Sequence, residues 1–62
     1  MKRSAFERYL RENNCFLLRE GSKHSIFLNN QSNSRSSVPR HNEIFDDMVK
    51  KICKDLGIHH PF

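Results

Sequence analysis

The fold is decided by residues 15–28, which read CFLLREGSKHSIFL. Residues 15–19 form a short apolar run bounded by turn signals, and this pattern predicts a strand. A second apolar run, at 24–28, predicts another strand. The connection at 20–23 contains Gly21 and has the length of a hairpin loop, so the two strands are expected to be antiparallel.

A weaker strand is predicted directly after this hairpin. Residues 29–33 are rich in Asn, Gln and Ser, which is typical of a turn. Residues 34–38 then predict a third strand. Pro39 ends its pairing, because proline has no amide hydrogen to donate. The sequence therefore predicts a three-stranded antiparallel meander.

A helix is predicted on the N-terminal side of the meander, over about residues 4–13. Ser4 is the expected N-cap, and Glu7 three residues later completes a capping box. Asn13-Asn14 is expected to end the helix, because Asn tolerates the left-handed conformation. One face of this helix is apolar at helical spacing, through Phe6, Tyr9 and Leu10.

The clearest helical pattern follows the meander, over residues 42–57. Acidic residues lie near its start and lysines near its end, which complements the helix dipole. Gly57 is expected to end it. We predict an α+β fold in the order α-β-β-β-α, with both helices on one face of the sheet. The side chains expected to be buried between helices and sheet are Phe6, Leu10, Ile44, Met48, Val49, Ile52 and Leu56; Phe45 and Cys53 are assigned to the same apolar helix face.

The second strand is apolar on both of its faces. Strand alternation places Ile26 and Leu28 beside His24, with Phe27 and Ser25 on the opposite side. The helices can cover only one of these faces. We therefore expect another protein to cover part of the face that points away from the helices.

Length and composition restrict the class of protein. The 62 residues make a single domain, 1–62, with no room for a cofactor cavity. Two cysteines without a secretory signal do not predict a disulfide framework. No apolar run is long enough to span a membrane. These features predict a protein of the reducing cytoplasm.

Positive charge is concentrated in the first two thirds of the chain. Residues 1–42 hold eight Lys and Arg against three Glu, which gives +5, whereas residues 43–62 hold three Lys against four acids, which gives −1. The sum is the net charge of +4. An excess of positive charge around the histidine-bearing turns favours a polyanionic partner.

His24 is the first candidate for chemistry. Imidazole titrates near neutral pH and can take a proton from a ribose 2′-hydroxyl or give one to a departing 5′-oxygen. Gly21 allows backbone amides and the Ser22 hydroxyl to approach a phosphate, and Lys23 can neutralise charge on the phosphorane. Spacing alone favours an ordinary histidine at the start of a strand, partly packed beside Ile26.

A second basic turn follows the third strand. Arg40 is suited to a bidentate phosphate contact, and contact with a protein partner is the alternative for this residue. His41 fits either a second proton-transfer group or a residue of a rigid turn that leads into the last helix, and the latter is favoured. His59-His60 lacks the acidic or cysteine neighbours of a metal site, so no metal is expected.

These motifs, taken in order, resemble one family. Gly-x-x-His-Ser-Ile-Phe at 21–27, Val-Pro-Arg-His at 38–41 and Lys-Ile-Cys-Lys-Asp-Leu-Gly at 51–57 are similar to the HicA family of toxin–antitoxin mRNA interferases. The resemblance implies a double-stranded-RNA-binding-domain-like fold, ribosome-independent mRNA cleavage and a catalytic histidine at His24. The chain departs from the pattern at Ser22, where some members carry a second glycine, and in the Asn-rich turn.

The function expected from residues and resemblance together is that of a metal-free, cofactor-free endoribonuclease toxin. The resemblance implies neutralisation by a HicB-type antitoxin, with the toxin monomeric when free and part of a hetero-oligomer when bound. The alternatives are a non-catalytic RNA-binding module and a structural interaction protein. The expected catalytic residue is His24, and the expected RNA contacts are Gly21, Ser22, Lys23, Arg19 and Arg40.

Overall fold

Five elements follow one another in the predicted order of helix, three strands and helix. The computed structural model describes residues 1–62. It confirms the α+β class, and neither helix is long and apolar enough to cross a membrane. The elements are α1 (Arg3–Glu12), β1 (Cys15–Glu20), β2 (His24–Asn29), β3 (Arg35–Pro39) and α2 (Asp46–Leu56).

The three strands form one antiparallel sheet in the order β1-β2-β3, as predicted. The register of β1 against β2 shifts between Leu17 and Arg19. Such a bulge places two residues of one strand opposite one residue of its neighbour. The Asn-rich turn closes the second connection through a hydrogen bond from the Asn29 N–H to the Ser34 carbonyl, 2.9 Å.

Both helices pack on the same face of the sheet. Paired residues share a face, and the pairs Cys15–Asn29 and Ser25–Val38 are both buried. Alternation along β2 puts Phe27 on this face as well. The resulting core draws on all five elements and one connecting segment, through Phe6, Leu10, Cys15, Phe27, Val38, Ile44, Val49, Ile52, Cys53 and Leu56.

The opposite face carries no helix, and its apolar side chains are only partly covered. Phe16 pairs with Leu28 and Arg19 with Ile26, so these four residues share what we call the helix-free face. Phe16 is exposed, whereas Ile26 and Leu28 are half-buried. The two-faced apolar pattern predicted for β2 is therefore present.

The first helix begins one residue earlier than predicted, and its start is not held by the predicted capping box. Ser4 does not cap it; the N-cap is Lys2, whose side chain makes no capping hydrogen bond. The preceding residues are instead held in extended pairing. The Arg3 N–H donates to the Asn42 carbonyl at 2.9 Å, and the Ile44 N–H donates to the Met1 carbonyl at 2.8 Å. This long-range pairing fixes the helix start in place of a local capping box.

The last helix is shorter than the apolar pattern predicted, because it starts at Asp46. Ile44 and Phe45 precede it; Ile44 is buried, but Phe45 is 85% exposed. Burial of Met48 was predicted wrongly, since 40% of this residue is exposed. The sheet covers the stripe formed by Val49, Ile52, Cys53 and Leu56, and Met48 lies at the margin of that stripe.

The two helix ends follow the sequence signals. Asn14 adopts φ of 65° after α1, and Gly57 adopts φ of 74° after α2. The N–H groups of Gly57 and Ile58 then bond to the Lys54 and Cys53 carbonyls at 3.1 and 2.9 Å, which is a Schellman arrangement. The buried Asn29 amide donates to the Leu56 carbonyl at 2.7 Å and ties this end to β2.

Both cysteines are free thiols buried in the core. Burial raises the pKa of the Cys15 thiol, and it raises that of Cys53 to about 11, with a smaller contribution from nearby Cys15. Both groups therefore stay protonated at neutral pH. They contribute to the core as small apolar side chains.

The contrast between Ile52 and Met48 gives a test of the core. Ile52→Ala should lower the free energy of unfolding by about 2–5 kcal/mol, because it leaves a cavity under the sheet. Met48→Ala, one turn earlier at the helix margin, should cost less than about 1 kcal/mol. Urea denaturation followed by circular dichroism measures both values, and equal losses would contradict this packing.

Candidate functional site

His24 is the first residue of β2, and its imidazole is exposed at the end of the hairpin. It pairs with Pro39, the last residue of β3. The Gly21 N–H donates to the His24 carbonyl at 2.7 Å, and this hydrogen bond closes the turn. The histidine is thus held by its backbone on both sides while its side chain stays accessible to solvent.

Gly21 is required by a close approach of backbone to backbone. A Cβ atom at this position would lie 3.0 Å from the His24 carbonyl oxygen. That oxygen accepts the hydrogen bond that closes the turn, so it has little room to move. Any side chain at position 21 would therefore shift the backbone that carries His24.

Four basic side chains line an open depression at this end of the sheet. They come from the hairpin turn and from the segment after β3, and the volume between them is about 420 Å³. Lys23 and Arg40 supply two permanent positive charges. We call this site the basic depression, and its residues are Lys23, His24, Arg40 and His41.

Arg40 holds the turn as well as contributing charge. Its Nη2 donates to the Gly21 carbonyl and, at 3.3 Å, to the His24 carbonyl. Its Nε lies 3.6 Å from a carboxylate oxygen of Glu20. The sequence predicted that Arg40 binds a phosphate. Part of its hydrogen-bonding capacity is instead used to hold the turn that carries His24.

A hydrogen-bond network lies beneath this turn, on the helix side of the sheet. Arg3 donates from Nε to the Pro39 carbonyl at 2.9 Å and from Nη2 to the Ser25 hydroxyl at 2.8 Å. Its Nη1 pairs with Glu7. Ser25 in turn donates to Glu20 at 2.7 Å. We call this set the arginine network.

The arginine network positions the histidine through its neighbour. Ser25 is buried and points toward the helices, so His24, one residue earlier, points away from them. Glu20 receives the Ser25 hydroxyl and also faces Arg40. The Glu20 carboxylate therefore connects the buried arginine network to Arg40 on the other side of the turn.

An apolar groove adjoins the basic depression. Its volume is about 570 Å³, and most of its lining comes from the segment that leads into α2. His24 and His41 line both sites, so the two are continuous. The residues of the apolar groove are His24, Pro39, His41, Glu43, Ile44, Phe45 and Met48.

The predicted site residues are not all brought together. Lys23 and Arg40 meet His24 in the basic depression, and so does His41, whose role the sequence left open. Arg19 does not line this site; it lies on β1 of the helix-free face, opposite Ile26. Ser22 is exposed within the hairpin turn.

Sequence reasoning missed the residues that act from a distance. Arg3 and Glu20 were given no role, Ser25 was only part of the motif at 21–27, and the partners of Arg3 at Ser25 and Pro39 lie 22 and 36 positions away. Phe45 was assigned to a helix face, although its large exposed fraction marks it as a site residue. Strand alternation, which places Ser25 on the same side of β2 as Phe27, was the sequence signal for its burial.

This arrangement defines a small α+β domain that places two exposed histidines beside a lysine and an arginine at one end of its sheet. The family model described as the HicA toxin of bacterial toxin–antitoxin systems matches residues 3–58 of the 62-residue chain. The chain therefore belongs to the HicA toxin family, which confirms the resemblance, and it has a toxin role. Comparison with curated proteins and with solved structures gave no significant match.

The arginine network can be tested at its central hydroxyl. Ser25→Ala should lower the free energy of unfolding by about 1–3 kcal/mol, because it leaves Arg3 and Glu20 without a shared partner. Ser37→Ala, at an exposed position of β3, should change it by less than about 0.5 kcal/mol. Urea denaturation measures the free energy of unfolding of both variants. If Ser25→Ala loses no more stability than Ser37→Ala, the network is energetically unimportant.

Proposed function

We propose that this toxin is a metal-independent endoribonuclease that cleaves mRNA with His24 as its catalytic residue. The observation that carries the proposal is an exposed imidazole at a rigid turn, next to the positive charges of Lys23 and Arg40. A phosphodiester in the basic depression would meet a proton-transfer group and two cations at once.

The reaction is an internal transesterification. The 2′-oxygen attacks the adjacent phosphorus as its proton leaves, the bond from phosphorus to the 5′-oxygen breaks, and that oxygen takes up a proton. The products are a 2′,3′-cyclic phosphate and a free 5′-hydroxyl. His24 acts as general base or general acid, and Lys23 stabilises the negative charge that builds up on the phosphorane.

The RNA contacts follow from the same placement. The exposed Ser22 contributes its N–H and hydroxyl to the phosphate, and Gly21, whose own N–H is donated to the His24 carbonyl, lets the turn approach it closely. Arg40 contributes charge while it holds the turn carbonyls. Arg19, on the helix-free face, contacts the strand farther from the cleaved bond.

The partner is a HicB-type antitoxin, which joins the free monomer in a hetero-oligomer. The exposed Phe16 and the half-buried Ile26 and Leu28 of the helix-free face support a protein partner there, since they offer apolar area that no element of this chain covers. A non-catalytic RNA-binding module explains the charge equally well. It gives no reason for the histidine at a fixed turn.

The catalytic role of His24 predicts a large loss of activity with no loss of fold. His24→Ala should slow RNA cleavage by about 10²–10⁴-fold, which is the usual contribution of a positioned acid–base group. Its unfolding curve should match that of the parent protein, because the side chain is exposed. Gel analysis of a labelled RNA measures the rate, and EDTA should leave the parent rate unchanged.

Two other histidines provide the controls for this experiment. His59→Ala removes an exposed imidazole of the C-terminal segment and should cleave RNA as the parent does. His41→Ala reports whether the second imidazole of the basic depression transfers a proton. Cleavage by His24→Ala at the parent rate, or inhibition by EDTA, would disprove the mechanism, and RNA binding without any cleavage would favour the non-catalytic module.

The charge of the basic depression predicts salt-dependent binding. If about three single-strand phosphates are contacted, the logarithm of affinity should fall against the logarithm of salt concentration with a slope of about −2. Lys23→Ala should reduce the slope by about 0.7. Lys50→Ala, on the exposed side of α2, should leave it unchanged. Fluorescence anisotropy with His24→Ala protein measures binding without cleavage, and a slope near zero would contradict this surface.

A further inference from the structure

The apolar groove contains an aromatic side chain that the fold leaves uncovered. Phe45 is 85% exposed, yet its backbone is fixed, because its carbonyl accepts the Val49 N–H at 2.9 Å at the start of α2. Met48, 40% exposed, and Pro39 continue the apolar wall toward His24. An apolar surface held in place beside a candidate catalytic group is suited to bind part of the substrate.

The charge distribution indicates which part of the substrate this is. The basic depression attracts an anion, whereas the apolar groove adds no cationic side chain beyond the two shared histidines, and its one carboxylate, Glu43, is paired with the N-terminal ammonium at 3.3 Å. His24 and His41 stand between the two sites. The matching ligand has an anionic group and a flat apolar group joined by a short linkage, and a nucleotide of single-stranded RNA has this form.

We propose that the apolar groove is a nucleobase subsite, in which a base next to the cleaved phosphate stacks on Phe45 against Met48. The proposal rests on the proposed function, because it places the phosphate beside His24. Stacking on an aromatic side chain tolerates any base, since every base has a π-face. Phe45 is thus a substrate-positioning residue that sets the register of the RNA strand relative to the histidine.

A fluorescence experiment tests the subsite without cleavage. The chain has no tryptophan, so Phe45→Trp in the His24→Ala background provides a single reporter. A short single-stranded oligoribonucleotide should quench this fluorescence in a saturable manner, and an abasic oligonucleotide of equal length should not. Phe62→Trp, at an exposed aromatic position outside both sites, is the matched control and should not respond.

Cleavage kinetics provide an independent measurement in the active protein. Phe45→Ala should raise KM at least about fivefold, as expected for the loss of one stacked base, with a much smaller change in kcat. Phe45→Tyr should restore the parent KM, and Phe62→Ala should keep it. A structural defect at position 45 would instead lower the unfolding midpoint, which circular dichroism detects.

The outcomes separate this proposal from the proposed function. Parent KM in Phe45→Ala and no quenching in Phe45→Trp, with RNA still bound and cut, overturn the subsite alone. Quenching by RNA that the parent protein does not cleave supports the subsite and overturns the nuclease. If Phe45→Ala binds RNA normally but escapes neutralisation by a co-expressed HicB-type antitoxin, the groove is a protein interface and the subsite is disproved.

Discussion

The hydrogen bonds donated by the Arg3 guanidinium are the interaction on which the rest of the structure depends. It joins three elements, since the side chain starts in α1 and donates to Ser25 of β2 and to the carbonyl of Pro39 in β3. Only 22% of this side chain is exposed, so its donors need partners inside the protein. The planar fork of donors can satisfy these acceptors only if helix and strand ends lie in one arrangement. That arrangement fixes the strand ends that carry His24 and Pro39.

The same network explains how so small a domain holds a site in place. A core of ten buried side chains leaves no interior volume for an enclosed active site, so the candidate chemistry takes place on the surface. A surface histidine is normally mobile. Here the His24 carbonyl accepts hydrogen bonds from Gly21 and Arg40. The hydroxyl of the neighbouring Ser25 accepts a hydrogen bond from Arg3 on the helix side of the sheet. Rigidity comes from the polar network, because burial is not available to supply it.

The surface divides into regions of different chemistry. The basic depression and the apolar groove meet at His24 and His41 and together suit a ligand that is both charged and flat. The helix-free face extends from the His24 end of β2 toward β1, where Phe16 and Leu28 leave apolar area uncovered. These regions offer different chemistry to a charged, flat ligand and to an apolar protein surface, and a partner that extends from the helix-free face to His24 would cover both.

The sequence by itself determined the order of the elements, the antiparallel hairpin, the helix ends at Asn14 and Gly57, and the family, because each of these depends on short-range patterns. Only the tertiary structure decided where α1 and α2 begin, that Met48 and Phe45 are exposed, and that Arg40 holds the turn. The contacts responsible join residues far apart in the chain: Arg3 reaches Ser25 across 22 positions and Pro39 across 36. Local periodicity carries no signal of such pairs, because their geometry exists only once helices and sheet have packed.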